Sequence, residues 1–347
     1  MIVLDGSRKS GSGTIVRTAA ALAVLRGEAL RIFNVRARRG NPGLRPQHLR
    51  ALEAVAEVTG SRLEGATVGA REFTLIPSGR IRGGAFAWDI GTAGSTTMMA
   101  QTLLPVAAFA EGPGRFHLQG GLFQDFAPSV FHLKHALLPL LDRMGVAASV
   151  ETLRPGYVPR GGGSICLEVR PAAGPLRPLA LAGAGRVVRV WGIALASHLR
   201  ERRVSDRMAR RCADRLAAAG LEARIEPVDD RSAAQPGAAL AVFAETDAGC
   251  ILGADRAGAP GRPSEAIADQ VARALLEDLS TGATVDRYLA DQVVVYAAMA
   301  DGDSEWVVPA VTDHVETVCW LVEELLGAGV DIEGRRLRIR GVAHQRP

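Results

Sequence analysis

Lysine is nearly missing from this chain of 347 residues, which contains only Lys9 and Lys134. The glycine-rich segment of residues 6–14 has Ser12 where the P-loop motif GxxxxGK[ST] requires its lysine, so a Walker-type phosphate site is excluded. The segment still predicts a flexible turn between a strand and a helix, with backbone amides free to meet an anion.

Paired cysteines and long apolar runs are missing as well. The four cysteines include no CxxC pair, which argues against a structural zinc site and a disulfide framework. The longest apolar stretch, residues 96–110, is broken by Gln101 and Pro105, and residues 1–10 have no apolar core of signal-peptide length. We therefore expect a protein of the reducing cytoplasm that does not span a membrane.

The overall composition is that of a folded globular protein, with 48% hydrophobic and 22% charged residues. Helix-like and strand-like hydrophobic periods alternate along the chain and indicate an α/β (α+β) fold. A length of 347 residues exceeds what one hydrophobic core usually supports. We expect one large domain that carries a smaller one.

An internal repeat organises the larger part of the chain. Each copy reads as an apolar helix, a strand, a loop, a second helix and a further short strand. The predicted helices of the three copies lie at residues 18–26 and 48–59, residues 100–110 and 130–144, and residues 291–300 and 314–326.

The spacing of the copies predicts an insertion. The first two copies lie about 80 residues apart and the last two about 190, so about 100 residues are added between the second and the third. We place an inserted α/β domain at residues 185–263. The repeats then form the larger domain from residues 1–184 and 264–347.

Three glycine-rich segments favour a site for a polyanion or a nucleotide. Residues 6–14 and 90–96 stand at equivalent places in the first two copies, and we expect both to line one cleft. Residues 156–163 form the third segment, for which a tight hairpin connection is the alternative. Each segment alone is a weak signal, because glycine-rich turns are common.

Five arginines crowd into residues 36–50, with Glu53 as the nearest counter-charge. They are Arg36, Arg38, Arg39, Arg45 and Arg50. Such a cluster fits either a surface that grips phosphate groups or an ordinary solvated face.

A histidine stands near the start of the second helix in each copy: His48, His132 and His314. For His132 a structural role is the simpler interpretation. His314 follows Thr312, a capping residue, at a helix N-terminus whose dipole favours a neutral imidazole and attracts phosphate. His314 is therefore a candidate catalytic residue, and a structural role is its alternative.

Five segments, taken in order, resemble the RNA 3'-terminal phosphate cyclase family. They are NPGLRPQH at residues 41–48, IGTAGS followed by QTLLP at residues 90–105, GYVPRGGG at residues 156–163, YLADQ at residues 288–292, and His314. The similarity extends over nearly the whole chain. We interpret the chain as a divergent member of this family. The resemblance implies three βαβαββ-type repeats that form a large catalytic domain, with a smaller inserted α/β domain.

The resemblance also implies an activity. Enzymes of this family use ATP to convert an RNA 3'-terminal phosphate to a 2',3'-cyclic phosphate, through a covalent histidine-AMP intermediate and an RNA-adenylate. His314 stands at the position of the nucleophile, and neither lysine lies in the KxDG motif of lysine-adenylating ligases. The residues implied for nucleotide binding are Gln101, Pro128, Tyr288, Asp291 and Gln292. Those implied for the RNA phosphate are Arg17, Arg36, Arg39, Gln47 and His48.

The chain departs from the family pattern at its opening motif, which resembles DGSxGEGGGQ. Ser10 replaces the acidic residue and Thr14 replaces the glutamine. The acid is the expected ligand of a divalent metal, Mg²⁺ or Mn²⁺, so the metal ligands stay unassigned. Further on, residues 120–123 and Phe131 also lack the polar groups that the family prefers.

Three hypotheses for the function are compatible with the sequence. They are a divergent cyclase, a self-adenylating enzyme with another phosphorylated acceptor, and a non-catalytic RNA-binding scaffold of the same fold. The retained His314 favours the first. The RNA substrate, the nucleotide and metal preferences and the oligomeric state, for which a dimer is one option, are left open.

Overall fold

The computed structural model describes residues 1–345, and the predicted larger domain includes two residues, Arg346 and Pro347, that lie outside the described residues. Across residues 1–345 the chain forms four four-stranded sheets with helices packed against them, which confirms the α/β class. Each sheet is mixed, with one parallel and two antiparallel pairings.

The first two sheets share one order of elements: strand, helix, strand, helix, strand, strand. The first unit comprises β1 (Ile2–Asp5), α1 (Gly13–Arg26), β2 (Leu30–Phe33), α2 (Pro46–Thr59), β3 (Arg62–Glu64) and β4 (Phe73–Ile76). The second comprises β5 (Gly84–Asp89), α3 (Thr96–Ala107), β6 (Gly114–Gly120), α4 (Val130–His132), α5 (Leu138–Met144), β7 (Ala147–Arg154) and β8 (Gly163–Arg170). A π-helical turn, Leu133–Leu137, joins α4 to α5.

The third such unit is interrupted after its first strand, β9 (Ala180–Leu181). The interruption comprises β10 (Val187–Ser197), a 3-10 turn (Arg200–Arg202), α6 (Val204–Ala217), β11 (Ala223–Asp230), β12 (Gly237–Thr246), β13 (Ile251–Ala257) and α7 (Ser264–Ser280). The chain then completes the third sheet with α8 (Leu289–Gln292), α9 (Val294–Met299), β14 (Asp303–Val307), α10 (Asp313–Leu326), β15 (Gly329–Glu333) and β16 (Arg336–Arg340).

The sheets lie outside and the helices of the three units meet inside. Helix α1 contacts α2, α3 and α10, and its residues are buried on almost every side. The sequence explains this, since a helix that is hydrophobic all round must lie in a core. Ser12 caps the start of α1, and Gly27 ends it in the left-handed region at φ 69°.

The inserted sheet carries both α6 and α7. Helix α7 contacts α6, β12 and β13. Three ion pairs join the two helices: Arg207 to Glu265 at 2.7 Å, Arg211 to Asp269 at 2.8 Å and Arg215 to Asp269 at 3.4 Å. The predicted boundary at residue 263 separates α7 from the sheet on which it packs. We therefore propose that the inserted unit ends after Ser280.

The inserted unit is fastened to the loop before α4. Asp125 in that loop pairs with Arg256 at 3.2 Å and with Arg262 at 2.8 Å. The Ser129 amide donates a hydrogen bond to Asp255 Oδ2 at 2.7 Å. The two units therefore share a wall beside α4.

The predicted helices are present, with shifted bounds. The first begins at Gly13, ahead of the apolar run at residues 18–26, because Ser12 supplies the cap. The segment predicted as one helix at residues 291–300 is divided between α8 and α9. All four cysteines are buried and free. Among residues 1–345, no helix is both long and apolar enough to cross a membrane.

Candidate active site

A cavity of about 640 Å³ opens where the first turns of α1, α2 and α10 converge. Backbone N–H groups at a helix start lack intrahelical partners and carry a partial positive charge, so this position favours an anion. The cavity is lined by all eleven residues predicted for the site: Arg17, Arg36, Arg39, Gln47, His48, Gln101, Pro128, Tyr288, Asp291, Gln292 and His314. Their individual roles stay predictions.

Three of the four arginines in the lining give the cavity its positive charge, whereas the fourth, Arg287, pairs with Asp278 at 2.7 Å. Arg36 is held by the carbonyl oxygens of Asn41 at 2.7 Å and Gly43 at 2.9 Å. Burial lowers the pKa of Arg17 to about 10, so the guanidinium stays charged at neutral pH. In the described chain neither Arg17 nor Arg39 forms an ion pair, and this uncompensated charge favours binding of a phosphate.

The imidazole of His48 is a buried, neutral hydrogen-bond donor. Its Nδ1 accepts a hydrogen bond from the Arg45 amide at 3.1 Å, which places the ring proton on Nε2. Burial lowers its pKa to about 2, with the nearby charges of Arg17, Arg36 and Arg45 acting in the same direction. His48 therefore presents an N–H group without adding charge.

We expect Gly13→Ala to weaken binding of an RNA 3'-phosphate by at least about 10-fold. A Cβ at Gly13 would collide with His48 Nε2 and would lie 2.9 Å from Arg17 Nη1, so both side chains would have to move. Fluorescence titration with RNAs ending in 3'-phosphate or 3'-hydroxyl measures the change. Gly40→Ala is the matched control, because a Cβ there meets open space. Equal binding by both variants would contradict the prediction.

The lining of the cavity also includes polar side chains with atoms that lack hydrogen-bond partners. Gln101 Nε2 and Gln292 Oε1 are buried and form no hydrogen bond within residues 1–345. Unsatisfied buried polar atoms are unfavourable, so a ligand that supplies an acceptor and a donor would stabilise them. Pro128, which also lines the cavity, is held in place because its carbonyl accepts a hydrogen bond from Thr97 Oγ1 at 2.7 Å.

Asp291 also lines the cavity. Burial raises its pKa to about 7, although the charge of Arg17 acts in the other direction. The unfolded chain releases this proton near pH 3.8, so Asp291 lowers the stability of the folded protein progressively as the pH rises from 3.8 to about 7.

Asp291→Asn is therefore expected to stabilise the protein by about 2 kcal/mol at pH 8, with a smaller gain at pH 5. Urea unfolding at the two pH values tests this expectation. Asp301→Asn, at an exposed carboxylate outside the cavity, serves as the control and should change little at either pH. A gain that is equal at both pH values would show that burial of the charge is not the cause.

His314 lies in the first turn of α10, after the cap Thr312, whose hydroxyl accepts a hydrogen bond from the Val315 amide at 3.3 Å. Burial against the cavity wall lowers the pKa of His314, and the charges of Arg39 and Arg17 lower it further against the influence of Asp313. The neutral ring is therefore favoured near pH 7 and is a competent nucleophile.

Ser10 does not line the cavity. Its hydroxyl lies 2.9 Å from that of Ser12, and its amide donates to Thr317 Oγ1 at 3.1 Å. The nearby carboxylates are engaged, since Glu316 lies 3.4 Å from Lys9 Nζ and Asp5 accepts from the Ser7 amide at 2.9 Å. Within residues 1–345 no group of three or more His, Cys, Asp or Glu side chains could hold a metal ion. The side chains near Ser10 and around the cavity therefore do not form a ligand set for a divalent metal ion.

The prediction that residues 6–14 and 90–96 both line one cleft is only half right. Ser12, Gly13 and Thr14 line the cavity, whereas no residue of 90–96 or 156–163 does. These two loops pack on each other instead, and a Cβ at Gly161 would lie 2.9 Å from the Ala93 Cα. Their glycines permit close packing of backbone, which the sequence pattern alone does not distinguish from anion binding.

Asp286 is a buried anchor that the sequence did not predict. The Asp286 carboxylate accepts four hydrogen bonds: from His132 Nε2 at 2.9 Å, and from the amides of Gly253 at 2.7 Å, Tyr288 at 2.8 Å and Leu289 at 2.9 Å. It thereby joins the second unit, the inserted unit and the segment that carries Tyr288. Its only signal in the sequence is its position two residues before the YLADQ segment.

Fold and site together define an α/β protein with a cavity whose lining combines unpaired arginines, which favour an anionic ligand, with a histidine. The model of the RNA 3'-terminal phosphate cyclase family matches residues 8–332. The chain belongs to this family.

Relatives named RNA 3'-terminal phosphate cyclase match over almost their whole length. The relative from Hyperthermus butylicus is 39% identical over 99% of both chains, and that from Pyrococcus furiosus is 36% identical over 96% of both. The relative from Desulfurococcus amylolyticus is 37% identical over 91% of this chain and 90% of its own. A likeness to the solved structure of the enolpyruvyl transferase NikO from Streptomyces tendae has a TM-score of 0.27 and 20% identity, over 50% of this chain and 33% of that one, and carries no argument.

Proposed function

We propose that the protein is an ATP-dependent RNA 3'-terminal phosphate cyclase, which converts an RNA 3'-phosphate to a 2',3'-cyclic phosphate. The observation that carries the proposal is the meeting, in one cavity, of a neutral histidine at a helix start, unpaired arginines and unpartnered buried amides. The similarity to relatives of that name supports the choice of substrate.

The first step uses His314 as the nucleophile. A ring nitrogen attacks the α-phosphorus of ATP, the bond from that phosphorus to the bridging oxygen breaks, and pyrophosphate leaves. The side chains of Gln101, Gln292 and Tyr288, with Pro128 and Asp291, bind the adenylate. The unpartnered amide groups of the two glutamines provide the donor and the acceptor that fix its orientation.

The second and third steps use the phosphate side of the cavity. The RNA 3'-phosphate displaces His314 from the adenylate phosphorus, and the neighbouring 2'-hydroxyl then attacks the RNA phosphorus and releases AMP. Arg17, Arg36 and Arg39 stabilise the negative charge that gathers in these steps, and Gln47 and His48 help to hold the RNA end. Gln47 is itself fixed, since its Oε1 accepts from the Ser95 amide at 3.1 Å.

The divalent metal, the cytoplasmic location and the oligomeric state stay predictions. No step is assigned to a metal, because the residues around the cavity do not form a ligand set for one.

The test is conversion of an RNA whose 3'-terminal phosphate carries the label. With ATP and Mg²⁺ or Mn²⁺, the label is expected to become resistant to phosphatase and to regain sensitivity after acid opens the cyclic phosphate. An RNA ending in 3'-hydroxyl is the control. If α-labelled ATP labels the protein covalently but the RNA is not converted, another phosphorylated acceptor is favoured. RNA binding with neither reaction would favour the non-catalytic scaffold.

A further inference from the structure

Thr14 and His314 meet across the cavity. Thr14 stands in the first turn of α1 and His314 in the first turn of α10, and Thr14 Oγ1 lies 3.1 Å from His314 Nδ1. Both residues line the cavity. Within residues 1–345 this is the only hydrogen bond of the Thr14 hydroxyl, and Nε2 of His314 has none.

This contact identifies the attacking atom. A nitrogen that is hydrogen-bonded to Thr14 has its lone pair or its proton engaged, so Nε2 is the nitrogen that is free to attack. Nε2 has a lone pair only when the ring proton resides on Nδ1. In that tautomer Nδ1–H donates to Thr14 Oγ1, and in the other the Thr14 hydroxyl donates to Nδ1 and leaves the proton on Nε2.

The Thr14 hydroxyl has one proton, so its direction decides between the two tautomers. The Thr14 oxygen accepts a hydrogen bond from Nδ1–H when the hydroxyl proton is donated to another acceptor. A phosphate oxygen bound beside Arg17 and Arg39 would be such an acceptor, and a charged acceptor competes strongly for a hydroxyl proton.

We propose that Thr14 is a positioning residue through which a bound phosphate chain selects the reactive tautomer of His314. The proposal rests on the proposed function, since it assigns Thr14 a part in the adenylation step. The Nε2 lone pair forms the bond to the α-phosphorus, and the electron pair of the breaking P–O bond leaves with pyrophosphate. The ring becomes cationic and keeps its Nδ1 proton, which Thr14 Oγ1 holds throughout.

The first experiment compares the rate of covalent labelling by α-labelled ATP in Thr14→Val, Thr14→Ser and the wild type. Valine keeps the shape but removes the hydroxyl, and the rate is expected to fall about 10- to 100-fold, as for loss of one hydrogen bond to a charged group. Serine restores the hydroxyl and should stay within about 3-fold of the wild type. Thr74→Val, in β4 and outside the cavity, is the control.

The second experiment does not require catalysis. The ¹⁵N shifts of the His314 ring, assigned by their loss in His314→Ala, report the tautomer with and without inorganic pyrophosphate. We expect pyrophosphate to increase the Nδ1–H fraction in the wild type and in Thr14→Ser, but not in Thr14→Val. No change in the wild type, or an equal change in Thr14→Val, would overturn the proposal. A wild type that shows the shift but never labels would refute the proposed function alone.

Discussion

Replacing His314 by alanine is expected to abolish covalent labelling by α-labelled ATP and to slow RNA cyclisation by at least about four orders of magnitude. The neutral ring at the start of α10 combines a pKa below its usual value with a hydrogen bond at Nδ1 that orients it and can leave a lone pair on Nε2. The Arg45 amide, by contrast, keeps the proton of His48 on Nε2. Loss of a covalent nucleophile removes the whole pathway rather than one interaction, so the effect should exceed that of any other single change in the cavity.

The matched control is His117→Ala, on β6 and outside the cavity. This variant should label at the wild-type rate. The label on the wild type should be labile to acid and stable to alkali, as expected for a phosphoramidate. If His314→Ala is still labelled, another residue is the nucleophile.

Replacing Asp286 by alanine is expected to lower the free energy of unfolding by about 3–5 kcal/mol. The substitution leaves His132 buried without its partner and the amides of Gly253, Tyr288 and Leu289 without their acceptor. Urea unfolding measures the loss. Asp331→Ala removes an exposed carboxylate 3.8 Å from Arg338 and should change stability by less than about 1 kcal/mol. An equally small loss in Asp286→Ala would show that the anchor contributes little.

The buried pair of His132 and Asp286 makes the free energy of unfolding depend on pH. Burial opposes protonation of His132, but the charge and hydrogen bond of Asp286, helped by Asp255 and Asp291, outweigh it and raise the pKa. The stabilisation is therefore complete below the unfolded value of 6.5 and is lost as the pH rises through the folded value. The difference in stability between the wild type and His132→Gln should shrink as the pH rises above 6.5.

The sequence was sufficient where short-range signals agree. The cap Thr312, the glycine that ends α1, the continuous apolar run of α1 and the apolar period of α10 are local, so the strand and helix order could be predicted. The residues of the site could be found because motifs separated along the chain resemble one family. Their convergence on one cavity agrees with that expectation.

The remainder depends on contacts that no local pattern encodes. The glycines of residues 90–96 and 156–163 serve close packing of two backbones, which has the same composition as a phosphate loop. Phe131 contacts Phe123 in an aromatic cluster that also includes Tyr157, so the apolar substitutions noted there build a core rather than a cleft. Asp286 and His132 lie 154 residues apart, and only the folded chain reveals their hydrogen bond.

The fastening of the inserted unit to the loop before α4 limits how far the protein can be shortened. A miniature version that joins β9 directly to residue 281 would delete the acceptor of the Ser129 amide, both arginine partners of Asp125 and the Gly253 donor to Asp286. Pro128 and Tyr288, which line the cavity, would then lose contacts that support their segments. The inserted unit therefore stabilises the cavity as well as its own sheet. A protein that lost the insertion, in evolution or by design, would need other residues to replace these hydrogen bonds and ion pairs.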